Sequence, residues 1–140
     1  MTKIKKILVP LDGSKNSLRG LDEGIYIARQ CQATITGLYV IPLAKPQTNS
    51  QISYVEKYLL KKAGILMSKV KNRAAQNGIL LEEKIEYGDE GPTINEFAHK
   101  NSFDLIVIGS RGQSGIKEAF LGSTSNYVLH KSKIPVLIVK

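Results

Sequence analysis

The sequence predicts a single α/β domain of the doubly wound kind: a five-stranded parallel sheet in the order 3-2-1-4-5 with helices on both faces. Three observations carry this. Five apolar runs alternate with four segments of helical period along the 140 residues. The runs are almost continuously apolar, as strands covered on both faces are. Right-handed crossovers that wind the sheet outward from strand 1 then set strands 1 and 4 side by side, with the winding reversing between them. A chain of this length buries roughly 70% of its unfolded surface in one core, so one domain over residues 1–140 is expected.

Strand 1 is Ile7 to Leu11, in "KKILVPL". The first helix follows, with Leu18, Leu21, Ile25 and Ala28 on one face and Ser14 or Ser17 as its N-cap. Strand 2 is Ala33 to Ile41, and a linker-like segment, Pro42 to Gln51, leaves its carboxyl end as a surface loop or a lid beside the crevice. Val55, Leu59, Ala63, Leu66, Val70 and Ala74 then give the strongest helical period in the chain. Strand 3 is Ile79 to Tyr87. A third, shorter helix is expected to start at Pro92, where proline suits a first turn, and to bury Ile94, Phe97 and Ala98. Strand 4 is Phe103 to Gly109, a fourth helix runs from about Ser123 to His130, and strand 5 is Ile134 to Val139.

Composition narrows the function. Lys and Arg outnumber Asp and Glu by 20 to 12, a net charge of +8 that favours anionic partners. Lys57, Lys61, Lys62, Lys69, Lys71 and Arg73 crowd the second helix with Glu56 the only nearby acid. That stripe reads as a solvated face, with nucleic-acid docking as the less favoured alternative, because the six tyrosines form no stacking motif. No apolar run approaches the ~20 residues of a membrane helix and no signal-peptide core is present, so a cytoplasmic protein without membrane partners is expected. Cys31, the single cysteine, cannot form an internal disulfide and reads as a small buried hydrophobe.

Ligands of doubly wound sheets bind beyond the carboxyl ends of the strands at the reversal. There the chain reads "GSRGQSGIKEAFLGSTSN", residues 109–126. This connection is longer than the usual 2–6 residues, and Gly109, Gly112 and Gly115 would bring bare amides close to a ligand. Gly122, Ser123, Thr124 and Ser125 would open the fourth helix. Unpaired N–H groups and the positive end of a helix dipole suit phosphate oxygens, with hydroxyl donors from Ser123 and Ser125 and positive charge from Arg111 and Lys117. Neither a Walker A loop nor a G-x-G-x-x-G after strand 1 is present.

"ILVPLDGS" (Ile7 to Ser14), Val40 at the end of strand 2, the glycine–serine pattern from Gly109 to Ser125 and the closing "PVLIV" together resemble the universal stress protein family, in its ATP-binding branch. The resemblance spans the whole chain. It implies that Pro10 and Asp12 flank the nucleoside and that Val40 offers backbone hydrogen bonds to the adenine edge. It further implies that Gly109, Ser110, Arg111, Gly112, Gln113, Ser114 and Gly115 wrap the phosphates, with Gly122, Ser123, Thr124 and Ser125 completing the cradle. For Asp12 the competing role is an Asx turn or a cap of the first helix. The ligand expected is ATP, with ADP, AMP or a cyclic nucleotide as alternatives and Mg as a companion ion.

Hydrolysis would need a positioned base and usually a metal held by acidic side chains. Only Asp12 is placed at the crevice by the sequence; Asp89, Glu90, Asp104 and Glu118 have no assigned place. His99 and His130 lack metal spacing, and His130 suits the negative end of its helix. A nucleotide-dependent sensor or regulator is expected, with slow turnover by a hydrolase or transferase as the alternative. The uniformly apolar strand 5 at a sheet edge calls for cover, by a second copy or by a terminal loop or the fourth helix, and the resemblance implies a homodimer through Ile134 to Val139.

Overall fold

The computed structural model describes residues 3–47, 51–111 and 121–140. The elements run β1 (Lys6–Pro10), α1 (Lys15–Cys31), β2 (Thr34–Ile41), α2 (Tyr54–Gln76), β3 (Leu81–Tyr87), α3 (Glu90–Lys100), β4 (Leu105–Gly109), α4 (Ser123–Lys131) and β5 (Val136–Val139). The five strands form one parallel sheet in the order β3-β2-β1-β4-β5, as the alternation predicted.

Strand alternation sorts the core into two layers. Ile7, Val9 and Leu11 point to one face of the sheet, where Leu21, Ile25 and Ala28 of α1 and Ala63, Met67, Val70 and Ala74 of α2 cover them. Leu8, Ile106 and Ile108 point to the other, against Ile94 and Ala98 of α3 and Val128 of α4. Each fully buried aliphatic side chain is worth about 1.5–3 kcal/mol of removal from water, so the sheet's place between the helix pairs is set by these two clusters.

Element starts differ from the apolar runs in several places. The runs begin one or two residues early in β2, β3, β4 and β5, because a side chain can be apolar before its backbone has a ladder partner; Leu80, just before β3, is 91% exposed. α3 begins at Glu90, so Pro92 is its third residue, still within the turn where no intrahelical N–H is required. Phe97 is only half-buried, stacked 5.7 Å from Phe103. In α2 the buried stripe starts at Glu56, not Val55, which is exposed. Ser53 caps this helix by accepting the Glu56 N–H at 3.1 Å, and Glu56 is buried.

Cys31 is a correction: it is exposed. It follows Ala28 at core spacing, but Gln32 turns into the left-handed region at φ 55 and ends the helix there, which leaves the last turn uncovered.

Candidate functional site

The crevice starts where β1 and β4 part. β1 pairs with β2 from Lys6 opposite Thr34 to Pro10 opposite Leu38, but with β4 only at Ile7 and Leu8. Strand N–H groups alternate sides. Leu11 donates to the Leu38 carbonyl on the β2 side, so position 10 faces β4, where the ladder has already ended. A proline there removes no hydrogen bond from the sheet.

The same parity fixes Val40. Leu38 faces β1 through its carbonyl, while Ile41 accepts the Gly88 N–H on the β3 side. Val40 shares the parity of Leu38, so its N–H and carbonyl turn toward β1 two residues beyond the end of the β1–β2 ladder. Its main chain thus borders the crevice.

Between β1 and α1 the turn is built locally. Asp12 Oδ1 accepts the Ser14 N–H at 2.8 Å, Gly13 takes φ 86, and Ser14 caps α1 by accepting the Ser17 N–H at 3.1 Å. Asp12 is therefore an Asx turn residue, and it also lines the cavity.

That cavity, about 340 Å³, is bordered by Pro10, Asp12, Val40, Gly109 and Arg111 on one side and by Gly122, Ser123, Thr124 and Ser125 on the other. Gly122 is the N-cap of α4. Asn126 makes the helix's first backbone bond, to the Gly122 carbonyl at 2.9 Å. The N–H groups of Ser123, Thr124 and Ser125 precede it and have no intrahelical acceptor. They form an electropositive helix end at the cavity wall.

Not every predicted residue faces the cavity with its polar atoms. Ser110 is buried, and its hydroxyl accepts from the Asn16 amide at 2.9 Å. Its N–H donates to the Val139 carbonyl, and its own carbonyl accepts both the Gly122 N–H and the Ser125 hydroxyl. The Gly122 amide and the Ser125 proton are thus engaged within the protein, which leaves Ser123 as the exposed hydroxyl of this turn and Thr124 half-buried beside it. Gly109 has a packing reason to lack a side chain: a Cβ there would meet the Asn16 backbone at 2.7 Å. Gly112, Gln113, Ser114, Gly115 and Lys117 lie outside the described residues.

A profile of the universal stress protein family matches residues 3–140. The chain belongs to the universal stress protein family. Universal stress protein YxiE of Bacillus subtilis is 37% identical over 145 residues, covering 96% of this chain and 98% of its own. Among solved structures, universal stress protein UspA from Lactobacillus plantarum has a TM-score of 0.86 at 27% identity, with 100% of both chains covered. A universal stress protein solved in complex with cAMP has a TM-score of 0.81 at 28% identity, with 99% of each chain covered.

This universal stress protein adds cavity residues that its sequence did not signal. Leu11, Tyr39, Pro42, Leu59, Lys62 and Ile94 contribute to the wall, and Glu90 brings a second carboxyl beside Asp12. Glu90 Oε2 accepts the Thr124 hydroxyl at 3.0 Å. Burial pushes the Glu90 carboxyl above its ordinary value; the Thr124 bond opposes this, and the Asp12 charge adds to it. Tyr39 is raised too, chiefly by burial and then by Asp12 and Glu90.

The lysine-rich face of α2 is partly spent. Lys71 pairs with Glu83, Arg73 pairs with Asp22, and Lys62 borders the cavity with its ammonium 5.4 Å from the Tyr58 ring centre. Among the described residues no helix is long and apolar enough to cross a membrane, and no three His, Cys, Asp or Glu side chains are grouped to hold a metal ion.

Proposed function

We propose that this universal stress protein binds an adenine nucleotide, ATP foremost, in the crevice beyond β1 and β4, and acts as a nucleotide-dependent sensor or regulator in the cytoplasm. One observation carries the reading. A single cavity joins a strand end whose main chain turns toward the crevice, Val40, to a helix end whose N–H groups, Ser123 to Ser125, have no acceptor within the helix. An adenine edge matches the first, since it needs a donor and an acceptor side by side; phosphates match the second. Pro10 and Asp12 would flank the nucleoside, and Arg111 and Lys62 would offset phosphate charge. Gly112, Gln113, Ser114 and Gly115 belong to the phosphate part of the reading on sequence grounds. Mg²⁺ enters it only together with the phosphates. The relative solved with cAMP supports the adenine-nucleotide class.

The reading includes a homodimer along β5. That strand ends the sheet, pairs with β4 on one side, and leaves Leu137 37% exposed. Edge strands of this character favour pairing with another copy.

Mass spectrometry of the small molecules released from the purified protein, followed by calorimetric titration with ATP, ADP, AMP and GTP, tests the ligand. Saturable binding of adenine but not guanine nucleotides is expected; no binding of any would end the reading. Steady ATP turnover with magnesium that disappears in Asp12→Ala would instead point to a hydrolase. Light scattering of the parent and of Leu137→Lys tests the dimer, with a shift to half the mass expected in the variant.

A further inference from the structure

Glu90 stands where the proposed phosphate seat is. It opens α3, while its carboxyl reaches across to the first turn of α4, where Thr124 donates to it. The N–H groups of that turn, which have no acceptor within the helix, are the natural place for an anion, and the protein already directs a carboxyl of its own to that turn. Asp12 shares the same wall. The nucleotide's charge must therefore be accommodated alongside that of two fixed acids.

Resting on the adenine-nucleotide reading, we propose that Glu90 is a specificity-determining residue: anchored by Thr124 and facing the cavity with Asp12, its carboxyl disfavours ligands in proportion to their negative charge, so that it narrows the preference for triphosphate over monophosphate. Among the described residues, Asp12 from the β1–α1 turn and the Thr124 hydroxyl from α4 act on it directly, Tyr39 from β2 feels its charge, and Lys62 from α2 and Arg111 after β4 line the same cavity. Attraction to Lys62 and Arg111 grows with each added phosphate charge, and repulsion from Glu90 offsets part of that growth. Protonation reverses its role. A carboxylate only accepts hydrogen bonds, but a carboxylic acid keeps an oxygen for Thr124 and has a proton to donate to a phosphate oxygen. Burial and the Asp12 charge favour that protonated form. ATP is therefore held more tightly as pH falls through the Glu90 titration.

The test is a set of calorimetric titrations of ATP and AMP into the parent and Glu90→Gln at two pH values, the ordinary glutamate value of 4.5, where a raised carboxyl is mostly protonated, and about 8. Glutamine keeps an acceptor for Thr124, removes the charge and, like the carboxylic acid, has protons to donate to a phosphate oxygen. At the higher pH the variant should bind ATP about tenfold more tightly and AMP less than about threefold more tightly, and the gain should shrink at the lower pH. Comparing parent with variant at each pH cancels the nucleotide's own titration. Equal gains for ATP and AMP, or a gain that does not change with pH, would overturn the proposal. Glu90→Ala, which loses the anchor as well as the charge, must show the same selectivity change, since an effect of the anchor alone would spare the ATP-to-AMP ratio. If neither protein binds any adenine nucleotide, the proposed function fails and this inference fails with it; if both bind with the same ratio, only the inference fails.

Discussion

A Cβ on Gly109 would lie 2.7 Å from the carbonyl carbon and oxygen of Asn16, so the end of β4 meets the first turn of α1 backbone to backbone. Gly20 makes the matching approach from α1, where a Cβ would sit 3.3 Å from the Gly109 nitrogen. Neither neighbour is a flexible side-chain tip. Gly109→Ala is therefore expected to lower stability by about 1–3 kcal/mol through overpacking. The measurement is the urea midpoint at unchanged slope; an unmoved midpoint would refute the close approach.

Asp12 has two separable tasks. Asp12→Asn keeps the oxygen that accepts the Ser14 N–H, so its stability should stay within about 0.5 kcal/mol of the parent. Asp12→Ala loses the turn as well and should cost about 1 kcal/mol. On the proposed nucleoside contact, both weaken ATP binding in calorimetry. If only the alanine variant does, Asp12 serves the turn alone.

Glu90 also links stability to pH. Its folded value lies above the ordinary 4.5, chiefly because of burial. Its stabilising contribution is then fully present below the unfolded value and is lost as pH rises from there through the raised folded value, because the folded state binds the proton more tightly. Denaturant melts of the parent across that window should show this loss, and Glu90→Gln should lack it. Parent and variant curves that run parallel would contradict the assignment.

The Asp22–Arg73 pair ties α1 to α2 with two contacts of 2.7 Å, yet both side chains are 40% or more exposed. Water and salt screen such a pair, and exposed pairs contribute at most about 1 kcal/mol. Asp22→Asn should shift the unfolding midpoint only slightly, and the shift should fade at high ionic strength. A loss of several kcal/mol would mean the pair holds the helix in place.

Cys31 gives a direct chemical check of the end of α1. An exposed thiol should react with a colorimetric thiol reagent in native buffer, at one equivalent per chain and without denaturant. Labelling that begins only on unfolding would restore the buried assignment.

The sheet order was legible because hydrophobic period and crossover handedness leave few alternatives for five strands. The Gly122 to Ser125 turn was legible from its place at a helix start beside the reversal, whereas Pro10, Asp12 and Val40 were picked out by the family resemblance; all of them border one cavity. Glu90 was not. A glutamate in a first helical turn reads as an ordinary partner of the helix dipole, and only the packed fold brings the start of α3 beside that of α4. Gly109 and Ser110 show a different blindness. Spacing alone does not distinguish a glycine that admits a ligand from one that admits a neighbouring helix, nor a serine that faces the crevice from one buried on Asn16. Val55 was misassigned because a spacing of four fits two adjacent stripes, and only the packed fold, with Glu56 buried and Val55 exposed, decides between them.

Ser110 grips Val139 with its N–H and Gly122 with its carbonyl. A single peptide pair of this residue thus couples the mouth of the hollow to the outermost rim of the sheet. The opening turn of α4 and the last residue of the edge strand therefore hang on the main chain of one buried serine.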